Sequence, residues 1–179
     1  MNTKRTEVDF SKHVVDVTKQ DRLLVHYIHL PNTIVNSVKF INTNDIMAVT
    51  GDFGNWIFCR EFHPSATGGV SDGYWREKLG ISSCQDPLEF VSDIAKAEIK
   101  EMLEDEDRTF TEEEREWLGE LSDAADEGEY EYIATAMHRP SSFEAECIPK
   151  GKRVTFWLLV VFDAFEEICK RIKEGAVTV

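Results

Sequence analysis

The chain has 179 residues, of which 42% are hydrophobic and 30% are charged. This length can bury a core without disulfides or metals, and the composition excludes a disordered chain. Acidic residues outnumber basic ones by 34 to 20, which gives a formal net charge of −14. So acidic a protein is not expected to bind nucleic acid directly through its phosphates.

The negative charge is concentrated in one segment, residues 101–131. This segment holds 15 acidic residues and only two basic ones, Arg108 and Arg115, whereas the rest of the chain holds 19 acidic and 18 basic residues. The protein is therefore nearly neutral outside this segment. A basic protein is the kind of partner that such a segment would attract.

Neither a membrane span nor a disulfide framework is expected. The longest apolar run, residues 156–162, is far shorter than the roughly 20 residues of a spanning helix, and the first residues lead into no secretory signal. We therefore expect a cytoplasmic protein. The cysteines form no CxxC pair, which favours buried, reduced thiols and predicts no metal or cofactor. They are Cys59, Cys84, Cys147 and Cys169.

The first half of the chain predicts a small antiparallel sheet. Residues 1–20 are polar and are interpreted as a short helix or a frayed start. Runs of β-forming residues follow at 23–30, 35–41, 46–50 and 56–62, separated by turn-forming residues such as those at 42–45 and 51–55. Because short connections favour antiparallel neighbours, these runs predict a four-stranded meander.

The second half predicts helices. A short helix is expected over residues 72–79, and Asp86 with Glu89 is interpreted as a capping box that opens a helix reaching residue 103. Thr111 and Glu114 form a second capping box, a further helix fits residues 129–138, and an aromatic helix fits residues 154–172. The prediction is one α+β domain over residues 1–179, with helices packed on one face of the sheet and the C-terminal helix central.

No motif in the chain specifies a reaction. The sequence contains no P-loop, dinucleotide fingerprint or nucleophile elbow. Asp52, Phe53 and Gly54 spell the tripeptide that holds magnesium in protein kinases, but the other kinase motifs are missing, so a hairpin turn is the better interpretation. No catalytic residue is predicted.

The acidic segment contains a line of carboxylates at helical spacing. Like charges at this spacing destabilise a helix by about 0.2–0.5 kcal/mol per pair. Two interpretations stay open: a solvated helix face and a surface that binds a basic partner. The line consists of Glu112, Glu116, Glu120, Asp123 and Glu127. A second acidic cluster precedes it, formed by Glu104, Asp105, Glu106 and Asp107.

Two motifs carry a resemblance to a known group of proteins. Residues 51–58 form a Gly-Asp-x-Gly turn followed by an apolar strand, and residues 73–79 read Gly-Tyr-Trp-Arg-Glu-Lys-Leu. In these motifs, and in the order of patterns over residues 23–174, the chain resembles uncharacterised accessory proteins of tailed phages and prophages. The resemblance implies a genomic setting in which such proteins redirect or inhibit host machinery, including antiviral defences. It carries over no catalytic residue.

Three hypotheses of function follow. The first is a phage-derived protein whose acidic face binds a basic, nucleic-acid-handling host protein, as an inhibitor of antiviral defence or a DNA mimic. The second is a small-ligand protein, a nucleotide-signal sponge or a hydrolase, with a pocket near the glycine-rich turn of residues 51–55 and the glycine-rich loop of residues 67–73. The third is a structural role as a homo-oligomer. The second hypothesis assigns the ligand to Asp52, Asn55, Arg60, His63 and Arg76.

Overall fold

A computed structural model describes residues 5–66, 69–82 and 86–178. The chain is mixed α+β and forms two compact units. The first unit combines Met1–Pro87 with Thr155–Val179, and the second is the intervening segment Leu88–Val154. The prediction that all 179 residues form one domain stays a prediction.

The first unit contains a six-stranded antiparallel sheet whose strands lie in chain order. Buried and partly exposed residues alternate along its central strands, as expected where one face covers a core. The strands are β1 (Val14–Gln20), β2 (Leu23–His29), β3 (Val38–Thr43), β4 (Ile46–Gly51), β5 (Trp56–Phe58) and β6 (Leu79–Ser82).

The prediction of four strands was wrong, because the sheet gains one strand at each edge. Residues 14–20, interpreted as a helix or a frayed start, form β1, whose mostly exposed and polar side chains give little hydrophobic signal. At the other edge, Leu79 and Gly80 begin β6, where they were expected to end a helix. Backbone pairing with the neighbouring strand holds both edges in the sheet.

Two helices of the first unit pack their aromatic side chains on the sheet. They are α1 (Asp72–Lys78) and α5 (Phe156–Lys173). Trp75 of α1 is fully buried and stacks on Phe162 of α5 with ring centroids 5.0 Å apart. Phe165 of α5 meets Phe40 of β3 edge to face at 5.5 Å. The first two residues of α5, Phe156 and Trp157, are about 40% exposed, so the helix is not fully buried at this end.

The second unit is largely helical. Its core joins the apolar sides of the helices and includes Ala95, Ile99, Leu118, Leu121 and Tyr132. The elements are the strand β7 (Leu88–Phe90), the helices α2 (Ser92–Glu104), α3 (Glu112–Glu127) and α4 (Glu129–Met137), a 3-10 turn (Ala145–Cys147) and the strand β8 (Lys152–Val154).

The predicted capping box at Asp86 and Glu89 is wrong. Residues 88–90 form β7, which pairs antiparallel with β8 more than 60 residues later, and α2 begins only at Ser92. The apolar residue at 88 fits both a helix and a strand, and a pairing so distant in sequence leaves no local signal.

Candidate partner-binding surface

The helix α3 is fixed at its N-terminus by the capping box that the sequence predicts. The Thr111 hydroxyl accepts a hydrogen bond from the Glu114 N–H at 3.2 Å, and the Glu114 carboxylate accepts one from the Thr111 N–H at 2.8 Å. The Ser142 hydroxyl donates a further bond to Glu114 at 2.8 Å. These bonds hold the pKa of Glu114 below its ordinary value, and the bond from the Thr111 backbone is the largest cause.

The five carboxylates predicted on one line lie on the outward side of α3, and we call them the acidic stripe. All five are exposed, whereas Trp117, Leu118 and Leu121 on the opposite side are buried. Adjacent members are about 5–6 Å apart along the axis, so the stripe extends over about 22 Å. It consists of Glu112, Glu116, Glu120, Asp123 and Glu127.

The acidic stripe lacks salt bridges to the residues that the structure describes. Asp126, on another side of α3, shows the contrast: it binds the Lys96 ammonium at 2.6 Å and accepts a hydrogen bond from Ser92 at 3.1 Å. These two bonds, with that of Lys96 the larger cause, lower the pKa of Asp126. The helix therefore has a paired acidic position facing α2 and a stripe whose carboxylates face solvent.

The second predicted cluster forms the exposed end of α2 and the turn after it. Glu104 lies 3.8 Å from Lys100, and Asp105 lies 3.4 Å from Arg108. The Asp105 carboxylate also accepts the Asp107 N–H at 3.1 Å. Glu106 and Asp107 are exposed. Part of this cluster thus shapes a turn, and acidic groups here oppose the negative end of the α2 dipole.

The second unit carries almost all of the net charge of the protein. Its residues, Leu88–Val154, include 20 acidic and eight basic side chains, a net charge of −12. Charge segregated in this way produces a field that steers oppositely charged partners toward the surface.

The structure adds an apolar feature that the sequence analysis did not single out. On α4, Tyr130, Ile133 and Met137 are exposed to 81%, 50% and 75%, although a position between them, Tyr132, is buried. The residues of α4 are apolar on both sides of the helix, so the sequence pattern shows no preferred buried side. Their spacing of three and four residues could have shown that these residues share one side of the helix, but not that this side is exposed.

The ligand residues of the second hypothesis lie before β5, after β5 and on α1. Asp52 and Asn55 lie before β5, whereas Arg60 and His63 lie beyond its other end. Arg76 is exposed on α1. Residues 67 and 68 of the predicted glycine-rich loop fall outside the described residues.

Each of these side chains with a described contact has a local partner. The Asp52 carboxylate accepts the Ser37 N–H at 2.9 Å. The Arg60 guanidinium lies over the Tyr74 ring and donates to its hydroxyl. His63 is 3.1 Å from Glu61. The assignment of a ligand to the five residues stays a prediction.

The glycine that begins the motif of residues 51–58 has a structural explanation. A Cβ at Gly51, where φ is +143°, would lie 2.1 Å from the Ser37 carbonyl oxygen, so the close approach of β3 and β4 requires glycine. The Trp56 indole donates a hydrogen bond to the Phe53 carbonyl at 2.9 Å and closes the turn.

An open cavity with a volume of about 1000 Å³ lies in the first unit. The charged groups in its wall hold the N-terminal segment. The Asp163 carboxylate accepts the N–H groups of Arg5 and Thr6, and the Arg171 guanidinium donates to the carbonyls of Phe10 and His13.

The described cysteines differ in their exposure. Cys169, in the wall of this cavity, is buried, which raises its thiol pKa to about 11 and makes it a poor nucleophile. Cys59 is exposed, contrary to the expected burial, and Cys84 lies outside the described residues.

A buried histidine also lies in the sheet of the first unit. His26 of β2 is fully buried opposite Phe40, and neither ring nitrogen has a hydrogen-bond partner in the described residues. Burial, with a smaller effect of His63, lowers its pKa to about 4. The ring is therefore neutral at pH 7, and because it is inaccessible it cannot meet a substrate.

The described residues contain no group of three or more His, Cys, Asp or Glu side chains that could hold a metal ion. None of the helices within those residues is long and apolar enough to cross a membrane. The chain matches no known family model, no curated protein and no solved structure.

Proposed function

We propose that this protein is an interaction protein that binds a basic partner through the acidic stripe of α3. The observation that carries the proposal is the line of five exposed carboxylates without salt bridges in the described residues. The nearby pair of Lys96 and Asp126 shows that the fold pairs an acidic side chain of this helix where a lysine is within reach. The carboxylates of the acidic stripe repel one another and destabilise the helix, which is consistent with selection of these residues for binding.

The partner in this proposal is a nucleic-acid-handling protein of a host cell. A regular line of negative groups offers a surface with the charge of a nucleic-acid backbone, which a basic cleft evolved for phosphate would accept. The resemblance to phage accessory proteins supports a role as an inhibitor of antiviral defence. Association should be fast and weakened by salt, since the field of the second unit steers the encounter.

The test is a pull-down from host-cell lysate at low and high salt with wild type and two variants. The stripe variant carries amides at the five positions: Glu112→Gln, Glu116→Gln, Glu120→Gln, Asp123→Asn and Glu127→Gln. The control variant neutralises five exposed carboxylates elsewhere, so that its net charge is the same: Glu7→Gln, Asp16→Asn, Glu77→Gln, Glu144→Gln and Glu146→Gln.

We expect a basic protein to be retained by wild type and by the control variant at low salt and to be lost by the stripe variant. High salt should release it from both. If the stripe variant retains the same partners as wild type, the stripe is solvated surface and the proposal is wrong. If both variants lose the partner equally, net charge and not the stripe is responsible.

A further inference from the structure

The outward side of α4 carries a row of apolar side chains, which we call the apolar row. Tyr130, Ile133, Ala134 and Met137 follow the spacing i, i+3, i+4, i+7 by which an amphipathic helix normally buries one side. Here the three large members are at least 50% exposed, while Tyr132 on the other side is 3% exposed and lies in the core. Contiguous exposed apolar side chains of this kind mark interaction sites.

The apolar row lies beside the acidic stripe. The Trp117 indole in the first half of α3 donates to the Thr135 carbonyl near the end of α4 at 3.2 Å, so the two helices form an antiparallel pair. Both helices contribute their inward sides to the same core cluster. Their outward sides, one acidic and one apolar, are therefore neighbours on the surface of the second unit.

Carboxylates also border the apolar row at its N-terminal end. Glu127, Glu129 and Glu131 are all exposed. Glu129 binds Lys152 at 3.0 Å, whereas Glu127 belongs to the acidic stripe. A segment seated on the apolar row thus has negative charge on the α3 side and at the start of α4.

We propose that this face binds a basic amphipathic helix of the partner. Apolar side chains of that helix, spaced by three and four residues, pack on Tyr130, Ile133 and Met137, and its lysines and arginines meet the acidic stripe. Tyrosine and methionine suit the centre of such a contact, because both are enriched in interface cores and methionine adapts its shape. This inference rests on the proposed function and adds the form of the segment that is recognised.

Charge favours this occupant over the two simplest alternatives. A second copy of the chain would bring two units of net charge −12 together across the same face, at a cost in electrostatic repulsion. A purely polar, basic strand would satisfy the acidic stripe but leave the apolar row in water. Only a segment with an apolar side and basic residues covers the apolar row and the acidic stripe together.

The test uses two labelled peptides of about 18 residues, five helical turns, made of leucine and lysine. In the first, the leucines follow helical spacing and form one apolar side; the second has the same composition in an order that spreads them all round. Binding to the full chain is measured by fluorescence anisotropy. The apolar-row variant is Tyr130→Gln, Ile133→Gln, Met137→Gln. The matched control is Ile34→Gln, Val35→Gln, at positions that are 77% and 57% exposed in a loop of the first unit.

Wild type and the control should bind the amphipathic peptide at least about tenfold more tightly than the shuffled one. The apolar-row variant should bind both equally, at the shuffled peptide's affinity, with unchanged circular dichroism and melting temperature. The stripe variant should bind both peptides more weakly.

Two results of the peptide assay would overturn the inference: equal binding of both peptides by wild type, or a preference that survives in the apolar-row variant. In either case, weaker binding by the stripe variant leaves the proposed function standing. Unchanged binding of both peptides by the stripe variant counts against the proposed function itself. A concentration-dependent dimer of wild type, dispersed by the apolar-row substitutions, would assign the face to a second copy and also overturn the inference.

Discussion

Burial of His26 makes the protein lose stability in mild acid, and His26→Leu should remove that loss. Folding lowers the pKa of the imidazole from 6.5 to about 4 because the buried ring cannot be charged cheaply. As the pH falls, the unfolded chain takes up this proton first. The contribution to stability is therefore complete above pH 6.5, falls between pH 6.5 and about 4, and is constant below that.

The size of the effect follows from the width of that interval. Each pKa unit corresponds to about 1.4 kcal/mol, so His26 alone should lower the free energy of unfolding by about 3 kcal/mol between pH 7.5 and 4. Leucine has no ring nitrogens, so it leaves no buried polar atom without a hydrogen bond. The free energy of unfolding of His26→Leu should therefore lie within about 1 kcal/mol of that of wild type at pH 7.5. The variant should then become progressively more stable than wild type as the pH falls.

The assay is urea unfolding at a series of pH values from 7.5 to 4, followed by tryptophan fluorescence. The difference in the free energy of unfolding between wild type and His26→Leu at each pH isolates the effect of His26, because other groups that destabilise the fold in acid, such as Glu114, are present in both proteins. A control substitution, His138→Gln, changes an exposed histidine and shows the effect of removing an imidazole that is not buried. If His26→Leu and wild type lose stability in parallel over this range, the reasoning from burial is refuted.

Three further predictions concern stability. Thr111→Ala should lower the free energy of unfolding by about 1 kcal/mol through loss of the α3 cap, whereas Thr109→Ala, outside the capping box, should be nearly neutral in the same urea titration. Gly51→Ala should lower the free energy of unfolding by about 2 kcal/mol or more, because its Cβ would collide with the Ser37 carbonyl. Gly119→Ala, which has open space in α3, should raise the free energy of unfolding by up to about 1 kcal/mol. Thermal melts that show equal effects of the two substitutions would contradict this prediction. The stripe variant should be more stable than wild type by about 1 kcal/mol at low salt, from the relief of four like-charge pairs, and a gain that does not shrink at high salt would rule out repulsion as its cause.

Local chemistry made parts of this fold predictable. The capping box at Thr111 and Glu114 is confirmed, because both partners lie within one turn of helix. Asn44 and Asp45 have φ values of +49° and +68° and form the two-residue turn that joins β3 to β4, as turn-forming residues in that position predict. The exposure of the acidic stripe was likewise fixed by spacing, since carboxylates opposite Leu118 and Leu121 can only face away from the core.

Backbone pairing decided the features of the fold that were not predicted. The edge strand β1 joins β2 through a two-residue turn, but its mostly exposed and polar side chains give little hydrophobic signal. Leu88 enters a strand because β8 offers a partner far along the chain, and a pairing so distant has no signature within a short window. Its energy comes from backbone hydrogen bonds that form only when distant segments meet.

One part of the candidate surface was predictable from the sequence, and the other part depends on tertiary packing. The sequence alone determined the acidic stripe, because charge and helical period are local properties. Only the tertiary structure decided that Tyr132 enters the core while Tyr130, Ile133 and Met137 face solvent. With apolar residues on both sides of α4, the choice depends on where α3 packs, and that packing is a property of the whole unit.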